Sequence, residues 1–431
     1  MRTIHVYKPK SIDFFKSQLL TWSQQFNEVN WMDSNHFNQK HSSFDAMMAV
    51  DAFTCIQTDY YEAFVKLKEY QSMIKDWIFG YLTYDLKNAV EDLESNNFDG
   101  LQFPELYFFQ PKKLFLFKGD TVEMHYLNMV SDEFDDDLNS ICHCEDVGRG
   151  NLLNEDIKIK LRIHKDEYLT KVETMLEHIH RGDIYEANFC QEFYAENTQI
   201  KPLETYMKLN NISKPPFATF MKLGDKYVLS ASPERYIKKT GNKIVSQPIK
   251  GTAKRSNNEK EDNLLKKQLS EDEKERSENI MIVDLVRNDL SKTATKGSVK
   301  VEELCQVYTF PQVHQMISTI TSEIEDSEHA VNVLESTFPM GSMTGAPKIS
   351  AMKIIEKLEE TKRGVYSGAV GYFNPNGDFD FNVVIRSILY NQTNKYVSYS
   401  VGSAITAKSN PLKEYEECLI KAKAMREVLE G

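Results

Sequence analysis

Gln247-Pro248-Ile249-Lys250-Gly251-Thr252-Ala253-Lys254-Arg255 follows the strand-like run Lys243-Ile244-Val245-Ser246 and precedes a long charged segment. Pro248 fixes its own φ and brings no N–H to a ladder, so the strand is expected to end or bulge here. Gly251 permits a backbone geometry or a close approach that a Cβ would forbid. Lys250 therefore stands between a rigid residue and a permissive one, at a strand end. Such a lysine is either a surface residue in a turn or an amine held in a cavity. The rest of the chain decides between the two.

Upstream, Ser232-Pro233-Glu234-Arg235 leads through Gly241 into this stretch. Before it, 217–221 and 227–231 read as a hairpin around Gly224-Asp225. Residues 183–194 read as a strand, preceded by a helix over 165–181 that Gly182 stops. Downstream, 257–288 is mostly helix, solvated at first and apolar from Ile280 onward. Helices are expected at 330–338, 349–358 and 413–429, and strands at 365–373, 379–390 and 396–405. In the first 150 residues, 14–26 reads as an amphipathic helix. Leu106-Tyr107-Phe108-Phe109 and Leu114-Phe115-Leu116-Phe117 read as two buried strands split by Pro111. The acidic, polar stretch 131–156 is the expected boundary or loop. These pieces point to large antiparallel sheets covered by helices.

With 431 residues the chain can bury a large core without staples. Its formal net charge is -12, with no compensating basic stripe, which argues against nucleic acid. An anionic substrate would be repelled overall and would need local help from Arg, Lys, backbone N–H groups or a cation. The six cysteines are scattered, and Cys142-His143-Cys144 reads as acidic surface rather than a metal site. No signal peptide, no membrane-spanning run and a reduced cytoplasmic setting are expected.

Two carboxylates stand out by position. Glu278 opens the apolar half of its helix, and Glu417 lies on the last helix with Glu414 one turn before it. They are either solvated helical charges or a pair holding Mg²⁺, which accepts one or two protein carboxylates. Arg386, among Val383-Val384-Ile385, needs an anion: a structural acid or a substrate carboxylate. Gly402 and Ser403, at a strand end, let backbone N–H groups approach a carboxylate. The loop Gly341-Ser342-Met343-Thr344-Gly345-Ala346-Pro347-Lys348 is Gly-rich but lacks P-loop spacing. His314, among Phe310, Val313 and Met316, has a core histidine as its ordinary explanation.

Several of these segments occur together in one known family. Gly182-Asp183-Ile184-Tyr185, Ser232-Pro233-Glu234-Arg235, Pro248-Ile249-Lys250-Gly251-Thr252 and the run from Glu278 to Asp289 resemble the chorismate-utilising enzymes. So do Gly345-Ala346-Pro347-Lys348, 366–372 and Ile385-Arg386. The resemblance is strong from about residue 165 to 428 and weak before. It implies an α+β fold, a four-layer α/β/β/α sandwich with two large, mostly antiparallel sheets. Residues 1–150 would form the N-terminal part and 160–430 the chorismate-binding catalytic region.

The resemblance also implies roles. Lysine at position 250 is characteristic of the branch that aminates chorismate to 4-amino-4-deoxychorismate for 4-aminobenzoate and folate; anthranilate-forming relatives carry alanine. Lys250 would attack ring carbon C2 as its neutral amine, made available by a dry pocket. Glu234 would be general acid and base, and His314 matches a base of the anthranilate-forming relatives. Gly251, Thr252, Ser342, Tyr366, Arg386, Gly402 and Ser403 would bind chorismate. Glu278 and Glu417 would hold Mg²⁺. Glu186 stands where relatives carry Gln, and where water-adding relatives carry Lys. Gly402-Ser403-Ala404 stands in place of a triple glycine. A glutaminase nucleophile elbow is not visible, so a glutamine amidotransferase subunit is the expected source of ammonia. The alternatives are an anthranilate-forming lyase and an inactive regulatory subunit.

Overall fold

The strand Ala46–Thr58 shows how the layers are built. Ala46, Met48 and Val50 join one hydrophobic core, whereas Met47 and Ala49 join a second. Strand Leu106–Lys118 repeats the pattern: Phe115 and Phe117 face the first core, Leu114 and Leu116 the second. Side chains alternate across a strand, so a strand buried on both faces lies between two layers. Helices Ile12–Ser23, Lys165–Arg181, Pro202–Ser213 and Pro411–Glu430 cover the first core. Helices Ala63–Ile74, Glu273–Ser291 and Ala330–Thr337 close the second. The fold is the expected helix–sheet–sheet–helix sandwich. It is seen here in a computed structural model that describes residues 1–37, 40–144, 157–310 and 313–431.

One feature differs from two separate sheets. Among the described residues the strands join into a single 20-stranded network. Long strands carry it from layer to layer. Ala46–Thr58 pairs with Glu28–Asp33 through its first residues and with Leu106–Lys118 along its length. Its register slips between Ala52 and Thr54, and a bulge of this kind bends and twists a strand. Pro111 does not split its run in two. It stands opposite Ala52, at the irregular point of the ladder where a missing N–H is tolerated.

The N-terminal and catalytic regions share the network: Glu28–Asp33 pairs with Phe217–Leu223, and Ile78–Leu82 with Ala369–Phe373. The expected boundary contains helix Phe134–His143, and its remainder over 145–156 lies outside the described residues. No helix among the described residues is long and apolar enough to cross a membrane.

Two local breaks shape the site. The long charged segment is two helices, Glu259–Glu271 and Glu273–Ser291, parted at Asp272. Asp272 is extended, and its carboxylate accepts the Glu275 N–H at 2.9 Å, an N-cap that starts the second helix afresh. The strand Lys243–Gln247 ends before Pro248, and the next strand, Ile249–Lys254, is bulged. Ile249 pairs with Ile317 and Thr252 with Gln315, so Lys250 and Gly251 together oppose Met316. Both outcomes expected of Pro248 and Gly251 occur.

Candidate active site

The bulge aims Lys250. Gly251 has φ +101°, and a Cβ there would stand 3.2 Å from both Glu275 Oε2 and Met316 Cβ, so glycine fits for two reasons. Asn279 donates its side-chain amide to the Lys250 carbonyl at 3.2 Å and to the Met316 carbonyl at 3.4 Å. Its own oxygen accepts the Ser318 hydroxyl at 2.5 Å. Held this way, Lys250 Nζ reaches Glu186 Oε1 at 3.0 Å, with its side chain 14% exposed and that of Glu186 2%. The other Glu186 oxygen is buried and accepts no hydrogen bond. Lys250 is thus a cleft lysine rather than a surface one.

Its charge state corrects one expectation. Burial works against the ammonium, but Glu186, Glu278 and Glu417 outweigh it, so the Lys250 pKa lies above its ordinary value. A dry pocket alone does not supply a neutral amine here, because three carboxylates face it.

Glu278, on the same helix as Asn279, is buried, and desolvation pushes it up to about 7 against the charges of Lys250 and Lys274. Its Oε1 accepts no hydrogen bond, and the Lys274 ammonium stands 3.7 Å away. Glu417, on the last helix, is partly exposed and pairs with Lys421 at 2.6 Å. Burial opposes its charge, but Lys421 and Lys250 hold its pKa below the usual value. Among the described residues no three His, Cys, Asp or Glu side chains form a metal cage. Two carboxylates from two helices, one with a buried oxygen that has an ion-pair neighbour but no hydrogen bond from the described residues, match the modest protein share that Mg²⁺ takes.

Arg386 is partly buried with φ +54°. Its guanidinium donates to the Lys421 carbonyl at 3.0 Å, and among the described residues no carboxylate lies within ion-pair distance of it. Burial lowers its pKa, with Tyr366 and Glu417 opposing. Arg363 is the contrast, its charge spent on Glu359 at 2.7 Å. Of the two anions the sequence left open for Arg386, no structural acid is found among the described residues. Tyr366 is buried nearby, its hydroxyl 3.8 Å from Cys190 Sγ.

Beside them, strand Tyr396–Thr406 pairs with Ser387–Asn391 only as far as Ser398, but with Glu186–Ala195 up to Thr406. Past Ser398 one edge of the strand has no strand partner among the described residues, and alternate N–H groups face it. Gly402 lies there. A Cβ would come within 2.5 Å of Asn188 Oδ1 and Cys190 Sγ, and its carbonyl accepts Lys421 Nζ at 2.8 Å. The Ser403 side chain meets the Tyr168 hydroxyl at 3.5 Å. The Ser403 N–H, alternating with that of Gly402, points into the ladder toward Phe189, so Gly402 is the residue whose backbone faces the open edge.

Glu234, in the turn before strand Arg235–Thr240, accepts the Ser342 hydroxyl at 2.6 Å. It is 4% exposed, and desolvation pushes it up to about 7 despite Ser342 and Lys250. It lines a cavity with Ser342, Ser246, Thr337 and Asp289.

Two predicted residues stand apart. His314 is buried on the strand beside Ala253, with one ring nitrogen 3.0 Å from Asp262 Oδ1 and the other 3.1 Å from Thr309 Oγ1. Asp262 in turn pairs with Arg255 at 2.8 Å. Thr252 pairs with Gln315, and its side chain is exposed. Two contributors went unassigned in the sequence. Asn279 adjoins Glu278, and a buried helical amide needs partners of this kind. Lys421 lies four residues after Glu417, a spacing that puts both on one helical face.

The whole arrangement has a family. A sequence profile of the chorismate binding enzymes matches residues 24–427, and the chain belongs to that family. It is 40% identical over 265 residues to aminodeoxychorismate synthase component 1 of Salmonella typhimurium, a match covering 62% of this chain and 58% of that one. It is 33% identical over 363 residues to an anthranilate synthase component I-like protein of Synechocystis, covering 82% and 73%. The match thus spans less than two thirds of the Salmonella protein. Anthranilate synthase component I from Streptococcus pneumoniae superposes with a TM-score of 0.78 at 25% identity, over 90% of this chain and 95% of that one.

Proposed function

We propose that the protein acts as an aminodeoxychorismate synthase component I, aminating chorismate at C4 to 4-amino-4-deoxychorismate. The observation that carries this reading is the bulged Lys250, buried against Glu186 and facing Glu278 and Glu417. Lys250 also argues against the anthranilate-forming alternative, whose members carry alanine there.

The chemistry starts from a charged lysine. Lys250 passes a proton to Glu186, and the freed amine bonds to C2 of the ring. The two ring double bonds shift, the C4–O bond breaks, and the hydroxyl takes the Glu234 proton and leaves as water. Glu234, held near 7 by burial, is protonated often enough at neutral pH to do this. Ammonia then bonds to C4 while the N–C2 bond breaks. Lys250 recovers its proton from Glu186, and Glu234 takes one from the new C4 ammonium.

Arg386, Tyr366 and the backbone at Gly402 hold the enolpyruvyl carboxylate in this reading, with Ser403 keeping the strand in register against Phe189. Gly251 and Ser342 line the ring's site in this reading, while Thr252, exposed, and His314, paired with Asp262 and Thr309, take no direct part. Mg²⁺, bound by Glu278 and Glu417, would neutralise the ring carboxylate and screen two of the three charges that keep Lys250 protonated. A glutamine amidotransferase subunit supplies ammonia, in a cytoplasmic setting. The test is product identity: chorismate, Mg²⁺ and ammonium should yield 4-amino-4-deoxychorismate by mass. Anthranilate would replace this reading with the lyase, and no turnover would leave a regulatory subunit.

A further inference from the structure

The segment from Thr337 to Lys348 touches both proton-handling pairs. Ser342, near its middle, donates to Glu234 at 2.6 Å. At its far end Gly345 and Ala346 pair with Ala187 and Glu186, and Ala346 accepts the Tyr185 N–H at 2.7 Å. Thr344 accepts the Asn188 N–H at 2.7 Å. The partner of Lys250 and the partner of Glu234 are therefore set by one stretch of backbone.

One side chain closes that stretch on itself. Lys348 Nζ donates to the carbonyls of Thr337 at 3.2 Å and Pro339 at 2.9 Å, which tie its end to its start. It also bonds Asp289 Oδ2 at 2.5 Å, which ties the loop to the helix that carries Glu278 and Asn279. Lys348 is 10% exposed and Asp289 5%. A surface lysine has no need of three such bonds. Leu285 packs where Gly341 lacks a Cβ, at 2.7 Å from the position a Cβ would take, so the loop lies flat on the same helix.

We infer that Lys348 is a positioning residue: by closing the loop onto Asp289 it holds Ser342 on Glu234 and the backbone at Glu186 beside Lys250. It touches neither chorismate nor ammonia. The inference rests on the proposed amination, and the test separates the two.

The test compares Lys348→Met, Lys348→Arg, Ser342→Ala and the Lys348→Met/Ser342→Ala double variant, with chorismate, Mg²⁺ and ammonium. Ser342 stabilises the Glu234 carboxylate, so its loss raises the Glu234 pKa and moves the high-pH fall of kcat upward. Lys348→Met should move that limb the same way and lower kcat about 10-fold or more, with half-saturating chorismate within about twofold. The double variant should shift the limb no further than either single one, and Lys348→Arg should restore much of the rate.

Asp289→Asn combined with Lys348→Met removes the buried carboxylate, which Lys292 at 3.1 Å would otherwise pair alone, and keeps the comparison available where the single variant folds poorly. A lower melting temperature with an unmoved pH profile, or additive shifts in the double variant, would overturn the inference. Absence of aminated product from the unsubstituted protein would instead overturn the proposed function.

Discussion

Asn279 donates to the carbonyl of Lys250 at 3.2 Å, from the helix position next to Glu278. The helix that carries Glu278 also fixes the backbone that aims the lysine. Asn279→Ala would leave the carbonyls of Lys250 and Met316 without this donor and the Ser318 hydroxyl without its acceptor. Leaving buried groups unpaired costs about 1–3 kcal/mol, so the variant should melt earlier and turn over more slowly. Calorimetry and a product assay check both; an unchanged melting temperature and rate would remove the brace.

Arg386 tests substrate binding separately from stability. It has no carboxylate within ion-pair distance among the described residues, so Arg386→Met should leave the melting temperature nearly unchanged. A lost charge-assisted hydrogen bond is worth about 1.5–3 kcal/mol, so half-saturating chorismate should rise roughly 10- to 100-fold. Steady-state kinetics beside a melting curve reads this out. A large stability loss with unchanged chorismate dependence would make Arg386 structural.

Glu234 sets a pH limit. In the proposed amination it must be protonated to serve the departing hydroxyl, and burial holds it near 7. The rate at saturating chorismate should therefore fall as pH rises through about 7, and Glu234→Gln should remove that fall along with most of the activity. A pH–rate profile unchanged in shape in the variant would assign the limb to another group.

Metal dependence is the fourth check. Chelation should abolish turnover and Mg²⁺ restore it. Glu278→Gln replaces a buried carboxylate with a weaker neutral ligand, so it should raise the Mg²⁺ needed for half-maximal rate at least about 10-fold. Titration of the rate with Mg²⁺ measures it. Full activity in chelator would exclude the two-carboxylate site.

Much of this was legible in the residues. Pro248 and Gly251 announced a break in the strand, because one lacks a donor and the other tolerates φ +101°. Glu278, Glu417, Arg386 and Lys250 could be picked out as charges in apolar or positionally unusual settings. What stayed hidden depends on distance rather than type. Nothing local in the sequence puts Glu186 3.0 Å from Lys250, since they are 64 residues apart and meet across strands. The Lys250 charge state was misjudged for that reason, since burial was visible and three facing carboxylates were not. Pro111 read as a breaker because its tolerance depends on the bulge opposite, at Ala52, in another strand.

The most direct test is mass spectrometry of the protein and its product after mixing with chorismate and Mg²⁺, with and without ammonium, for the unsubstituted chain and Lys250→Ala. The account predicts 4-amino-4-deoxychorismate from the unsubstituted chain, a chorismate-derived mass increment on the Lys250 peptide when ammonium is withheld, and neither from the variant. An aminated product formed at an unchanged rate by Lys250→Ala would contradict it.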